Sequence, residues 1–287
     1  MYELIGAAGN TFYIDCPTKV GLYIDGEDAV AIDSGGDKDA AKKILRHLDG
    51  KRLHAVYLTH SHADHIGGCA TLYERTGCAI VAPGIECAFT QYPILEPMTL
   101  YGGRPPKDLH HKFLLAKESP AQPLGPMPAG WEAIPLPGHS PAMTGYRTPD
   151  DVVFLGDCLS SEPTLEKYPI GYLYDVGQYL NTLEKVASMQ AALFVPAHAP
   201  ATTDIAPLAQ KNREAVQAIA EQIVAFCDRP IGFDELLAKL FVHYGMTMTV
   251  QQHAMVGSTV RSYLSYLCDT DRLCFTVSDH QMRWQKA

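Results

Sequence analysis

The sequence predicts an α/β protein in two units: alternating strands, helices and loops over residues 1–205, then a small, mostly helical unit over 206–287. Three observations carry this. Short apolar runs rich in β-branched residues alternate with amphipathic helical stretches up to about residue 205. Beyond it, three helical-period segments follow one another. Four short stretches bearing His and Asp each come directly after an apolar, strand-like run: Thr59–His65, Pro137-Gly138-His139, Leu155-Gly156-Asp157 and Pro196-Ala197-His198. The 287 residues are 47% hydrophobic, enough for a large core and a second small one.

Val20–Ile24 and Ala29–Ile32 read as strands around an Asp25-Gly26 turn. Asp37 is placed to cap a helix over Lys38–Leu48. Leu53–Leu58 is a short buried strand that delivers the His60 cluster. His65–Arg75 then reads as a helix closed by Gly77, and Ala79–Ala82 as a strand. Residues 88–130 are dense in proline (Pro93, Pro97, Pro105, Pro106, Pro120, Pro123, Pro126, Pro128), which argues against regular sheet and for a lid or substrate wall. Trp131–Leu136, Val152–Leu155 and Leu193–Val195 are strands running into His139, Asp157 and His198, and Gln178–Met189 is helical.

In the second unit, Val216, Ile219, Ile223 and Phe226 keep helical spacing, Phe233–Phe241 is a shorter amphipathic helix and Val250–Leu267 a third. Cys274–Val277 and Gln281–Trp284 suggest a small hairpin. Three helices and a hairpin form the pattern of a winged helix. Residues 206–287 carry eight Lys/Arg against eight Asp/Glu, whereas a DNA reader is normally basic.

The formal net charge of −9 disfavours nucleic acid and anionic membranes as partners. No apolar stretch approaches the roughly 20 residues that span a bilayer. Eight scattered cysteines make no Cys-x-x-Cys pair, and the N-terminus lacks the basic-then-apolar pattern of a signal peptide, so a cytoplasmic location is expected. A thiolate ligand at Cys158 is the alternative to Asp157; neighbours on a strand point opposite ways, and Asp157 is preferred.

His and Asp suit zinc and its neighbours, and the seven candidates His60, His62, Asp64, His65, His139, Asp157 and His198 exceed what one ion uses. On an extended strand end His60 and His62 share a face and reach one ion together with His139. Asp64 and His65 diverge from that pair and suit a second ion with His198. Asp157, with two carboxylate oxygens, would bridge. Two divalent ions are therefore expected, zinc first, with iron or manganese also suited. About 3.5–4 Å apart, they would hold a hydroxide between them that attacks an ester-like bond. Asp64 or Asp157 would orient it and accept its proton. Thr59 is a candidate for fixing the imidazoles.

These residues, His60-Ser61-His62-Ala63-Asp64-His65 with His139, Asp157 and His198 in that order, resemble the metallo-β-lactamase superfamily over roughly residues 1–205. The resemblance implies a four-layer αββα sandwich with the metals at one edge of the sheets. The complete ligand set is similar to the glyoxalase II-like branch. Asp33 matches the position of an acid that steadies the histidine loop, and the tail is similar to the winged-helix tail of some members. Asp64 with Asp157 argues against a true β-lactamase. Ser160, where lactone-cleaving members often have Tyr, lowers that reading. Arg283 and Lys286 are sparse for the basic cluster that binds glutathione.

The expected activity is hydrolysis of a thioester, lactone, ester or phosphodiester in a small-molecule substrate. Two other classes compete: a di-iron redox protein of the same fold, and a DNA-binding regulator with an inactive hydrolase domain. The first normally joins a flavin domain that about 80 residues of tail cannot hold. The neutral tail and intact ligand set weigh against the second. Apolar positions in the tail would fit a homodimer.

Overall fold

The computed structural model describes residues 2–287. Strands β1 (Glu3–Ala8), β2 (Thr11–Asp15), β3 (Val20–Asp25) and β4 (Asp28–Ile32) open the chain as an antiparallel meander. The first two escape sequence reading because their residues are largely half-buried, so no clean apolar alternation marks them. Helix α1 (Lys38–Leu48) starts where Asp37 accepts hydrogen bonds from the amides of Asp39 and Ala40, both at 3.0 Å. It buries Ala40, Ala41, Ile44 and Leu48, one face at helical spacing.

Strand β5 (Arg52–Tyr57) pairs parallel with β4. The single helix expected over 65–75 is two: α2 (Ala63–Ile66) and α3 (Cys69–Thr76). The break falls at Gly67-Gly68, where the backbone presses on the loop after β4. A Cβ on Gly67 would come within 2.2 Å of the Gly36 carbonyl oxygen, so only glycine lets the two loops meet. Gly77 closes α3 in the left-handed conformation, as expected.

Strand β6 (Ala79–Ala82) is followed by helices α4 (Glu86–Gln91) and α5 (Leu95–Tyr101) and by β7 (Ala121–Pro123). The proline-rich stretch is thus not free of sheet. β7 pairs parallel with β6 as the edge strand, where the missing N–H of Pro123 costs no ladder bond. The first sheet runs β1 to β7 in sequence order, antiparallel to β4 and parallel beyond it.

The second sheet contains β8 (Glu132–Pro135), β9 (Thr144–Arg147), β10 (Val152–Ser160) and, after helices α6 (Glu162–Lys167) and α7 (Val176–Ala187), β11 (Leu193–His198), in the order β11-β10-β9-β8. Strand β9, not evident in the sequence, is four residues long. The apolar run Val152-Val153-Phe154-Leu155 is continuous because both faces of β10 are buried. Val152 and Phe154 join Ile32, Tyr146 and Val195 between the two sheets; Val153 and Leu155 join the core under α7. A third cluster lies between the first sheet and α1 and α3, including Ala29, Ile44, Leu53 and Leu72. Three cores separate four layers, helix–sheet–sheet–helix.

The tail consists of α8 (Ala206–Phe226), a two-residue strand β12 (Ile231–Gly232), α9 (Phe233–His243), α10 (Val250–Asp269) and the hairpin β13 (Leu273–Ser278) and β14 (Gln281–Lys286). β12 adds to β14, making a three-stranded sheet where a bare hairpin was expected. One hydrophobic cluster runs without a break from Ile134 and Leu155 through Val216 and Ile223 to Leu264 and Leu273, so the tail completes the core of the second sheet. Leu100, Leu109 and Leu114 of the proline-rich stretch pack on Ala254 of α10 and on Tyr172. The tail thereby fixes one wall of the site described below. No described helix is long and apolar enough to cross a membrane. All eight cysteines are free thiols.

Candidate metal centre

All seven side chains named from the sequence converge at one edge of the two sheets. His60 and His62 leave the end of β5, Asp64 and His65 lie on α2, Asp157 on β10, His198 at the end of β11, and His139 in the loop between β8 and β9. They form two groups of four donors, each group's atoms within 4.8 Å of one another: His60, His62, His139 and Asp157; and Asp64, His65, Asp157 and His198. Asp157 belongs to both. Its Oδ1 is 3.0 Å from His65 Nε2, and its Oδ2 is 3.4 Å from His198 Nε2 and 3.5 Å from His139 Nε2.

A bulge aims this carboxylate. The β10–β11 register shifts at Gly156, whose φ is 54°, and a Cβ there would come within 3.0 Å of Thr59. Asp157 is thereby turned toward the histidines. Cys158 points the other way and is fully buried in the core, where burial pushes its thiol far up. Among the two candidates at this strand end, the aspartate faces the cluster.

The imidazole tautomers follow from their partners. Asp33, in the left-handed conformation at φ 63°, accepts from the Thr59 amide (2.7 Å), the Thr59 hydroxyl (2.8 Å) and His65 Nδ1 (2.8 Å). With its proton given to Asp33, the Thr59 oxygen accepts from His60 Nδ1 at 3.0 Å. His139 Nδ1 donates to the Tyr172 carbonyl at 3.2 Å and His198 Nδ1 to the Pro17 carbonyl at 2.8 Å. Each of these four rings therefore turns its Nε2 inward, where it can bind a cation once that nitrogen is deprotonated. His62 turns its Nδ1 inward, 3.0 Å from His60 Nε2 and 2.9 Å from His139 Nε2.

With all three rings neutral, these three inward nitrogens share at most one proton, whereas one cation would satisfy them all. Donors about 2.0–2.1 Å from a tetrahedral zinc stand ~3.3 Å apart, close to what is seen. His65 Nε2 and Asp157 Oδ1 are buried 3.0 Å apart and have no partner but each other. Buried donors of the types zinc prefers, converging in two groups with few partners outside them, are what a cation site requires, so the residues fit a metal pair.

Without metal the cluster is electrostatically divided. Burial, with the neighbouring histidines, holds His60 well below its ordinary value. Burial takes His62 down to about 4 and His139 to about 3. Asp157 lifts His198 to about 10. Burial disfavours a charged His65, but Asp157, Asp64 and Asp33 outweigh it and raise that ring. Burial would raise Asp157 too, yet His198 and His65 hold its carboxyl well below the usual range.

A pH profile follows. Below the unfolded value of about 6.5, the unfolded chain takes up protons that folded His60, His62 and His139 refuse, so stability falls as pH drops toward 4. Above it, folded His65 and His198 retain protons that the unfolded chain has lost, so stability falls again toward pH 10. Urea unfolding of the chelated protein should give its highest midpoint near pH ~6.5, with a decline on both sides. A flat profile from about pH 5 to 9 would contradict this charge division.

Several supporting residues gave no sequence signal. Glu86, 1% exposed at the start of α4, accepts four hydrogen bonds: from the Ser61 amide (3.1 Å) and hydroxyl (2.5 Å), and from the Ser140 hydroxyl and Ala142 amide (both 2.9 Å). It ties the His60–His65 loop to the His139 loop. Thr18 donates to Asp64 Oδ2 at 2.8 Å, and His198 Nε2 stands 3.1 Å from the same oxygen. Asn212 of α8 clamps the end of β10, accepting from the Ser160 amide and donating to its carbonyl, both at 2.9 Å. A lone Glu, Thr or Asn is invisible as a site residue until the loops it joins are known to meet.

Cavities open on three sides of the cluster. One of about 90 Å³ lies beside Asp157, His139 and His198, walled partly by Asn212 and Tyr263 of the tail. One of about 190 Å³ lies beside Asp64, under Lys112 and Phe113. One of about 230 Å³ lies beside His62, between α4, α5 and Tyr172. Tyr172 and Tyr174 line this last cavity, Tyr146 is core, and Tyr101 and Tyr168 are half-exposed on the surface.

The family model described as "Metallo-beta-lactamase superfamily" matches residues 13–198, which contain every one of the seven side chains. The chain belongs to the metallo-beta-lactamase superfamily. It is similar to a hydroxyacylglutathione hydrolase of Albidiferax ferrireducens, 28% identical over 141 residues, 48% of this chain and 46% of that protein. The match thus spans less than half the length of that relative. A Bacillus subtilis protein named as a probable metallo-hydrolase is 24% identical over 65% of this chain and 84% of its own length. Two solved structures share the fold through the tail. A beta-lactamase domain protein from Burkholderia ambifaria aligns with TM-score 0.75 and 19% identity over 99% of this chain and 94% of its own. A metallo-beta-lactamase family protein from Thermus thermophilus aligns with TM-score 0.72 and 17% identity over 97% and 99%.

Proposed function

We propose that this superfamily member is a dinuclear metal-dependent hydrolase of an ester-like bond in a small molecule. The observation that carries the reading is the pair of four-donor groups sharing Asp157. His60, His62 and His139 would hold one divalent ion, Asp64, His65 and His198 the other, and Asp157 would serve both, with zinc the first choice for such donors. Bound ions supply a Lewis acid and a water of lowered pKa.

The protein's own contribution is positional. Asp33 and Thr59 fix His60 and His65, and the carbonyls of Tyr172 and Pro17 fix His139 and His198, so all four rings keep Nε2 inward. Asp64 has a 39% exposed side chain against 12% for Asp157. It is therefore the carboxylate that incoming water and substrate can reach, and we assign it the proton given up on attack. The hydroxyls of Ser61 and Ser140 are engaged by Glu86 and are not free to act as nucleophiles.

Thioester, ester, lactone and phosphodiester substrates all suit this chemistry. The name of the Albidiferax relative makes an acyl-glutathione thioester the first to try. Arg283 and Lys286, the sparse basic candidates for that carrier, line none of the three cavities beside the cluster. Zinc-loaded protein assayed on aryl ester, thioester, lactone and phosphodiester panels should hydrolyse at least one class. Chelation should abolish that activity and zinc restore it. Turnover that survives thorough chelation would refute the reading.

A further inference from the structure

The cavity beside His62 has an unusual wall. On one side it is bounded by the metal cluster, with the Tyr172 ring packed against His62 (5.2 Å between centroids) and His139 (5.8 Å). On the other side stand Phe89 of α4 and Glu96 of α5, with Tyr174 beside them. Among the described residues the Glu96 carboxyl has neither a hydrogen-bond donor nor an ion-pair partner, and no Lys or Arg lines the cavity. Glu86, which also borders it, has all four of its hydrogen bonds filled by the ligand loops. Glu96 is thus the one carboxyl here without a structural task.

We infer that this cavity is the substrate-recognition pocket of the hydrolase and takes a cationic group, an alkyl- or arylammonium, against Glu96. A carboxyl flanked by aromatic faces is the ordinary protein answer to such a cation: the ion pair supplies charge and the rings supply their negative faces. Burial, together with Asp64 and Glu86, keeps the Glu96 carboxyl well above the usual carboxylate range, and a bound cation relieves that. The net charge of −9 favours the approach of cations over anions. His62, at the edge of the metal cluster, itself lines this cavity beside Tyr172. An ammonium at Glu96 would therefore place the rest of the substrate at the metal cluster.

The assignment rests on the hydrolase reading only for its kinetic arm, so the test has two arms. In the first, calorimetry measures binding of 2-phenylethylammonium, 2-phenylethanol and 3-phenylpropionate to the full chain, chelated and zinc-loaded. The amine should bind about 10-fold more tightly than the alcohol, and Glu96→Gln should remove that margin in both metal states. Equal affinity for amine and alcohol, preference for the carboxylate, or an unchanged margin in Glu96→Gln would overturn the pocket assignment. In the second arm, thioesters of one thiol with 4-ammoniobutanoyl, pentanoyl and hemiglutaryl groups are compared in kcat/KM. The ammonium substrate should lead the neutral one by about 10-fold, and the ratio should collapse toward unity in Glu96→Gln. Failure of all three thioesters to turn over, with the amine margin intact, would count against thioester hydrolysis and leave the pocket standing.

Discussion

Asp157→Ala is expected to take the protein from two bound metal equivalents to fewer than one and to cut hydrolysis by more than about 10²-fold. The carboxylate belongs to both donor groups, so its loss leaves each with three. It also removes one of only two negative charges among the seven side chains, in a site too enclosed for water to compensate. The other, Asp64, stands 3.1 Å from His198 Nε2 and 3.7 Å from His65 Nε2 and serves only the second group. The metal-free variant carries its own signature. Asp157 is the leading cause that raises His65 and His198, so without it the loss of stability between about pH 6.5 and 10 should flatten. Asp157→Asn keeps the volume and isolates the charge. Elemental analysis of the dialysed variant showing two equivalents would refute the shared role.

The second large effect is on stability and involves a residue with no proposed part in the chemistry. Glu86→Ala should lower stability by about 3–5 kcal/mol, because it strands two amides and two hydroxyls that now meet a buried carboxylate. For a protein of this size that corresponds to a fall in Tm of roughly 6–20 °C, taking about 2–4 °C per kcal/mol. The same change frees the His60–His65 loop from the His139 loop, so metal affinity should fall about 10–100-fold. Glu86→Gln should be milder on both counts: its amide oxygen still accepts, while its NH₂ confronts donors. Thermal unfolding with and without chelator checks this. A Tm within ~2 °C of the parent for Glu86→Ala would show that the two loops hold themselves.

The seven clustered side chains were legible in the sequence because their physics is local. His60 and His62, two apart on extended backbone, share a face. Asp37 announced α1 because an N-cap acts through its own neighbours two and three residues on. Asp33 was legible as a partner of the histidines only by resemblance; the bonds that make it one span 26 and 32 residues. Glu86 was not legible at all. Its bonds reach 25 and 54–56 residues away, and nothing around it in the sequence differs from a surface helix start. The same holds for Asn212, which reaches 52 residues to Ser160. The proline-rich stretch misled in one respect: its prolines punctuate short helices and end an edge strand, and they do not dissolve the segment into loop. The tail's role in completing the second core depends on helix placement, which hydrophobic periodicity does not encode.

The central claim, that two cations share Asp157 among these seven side chains, is tested most directly by adding zinc to fully chelated wild-type protein and measuring the equivalents retained after exhaustive dialysis. The account predicts two per chain, with Asp64→Ala and His198→Ala each retaining one. Saturation of the wild type at a single equivalent, unchanged in those two variants, would contradict it.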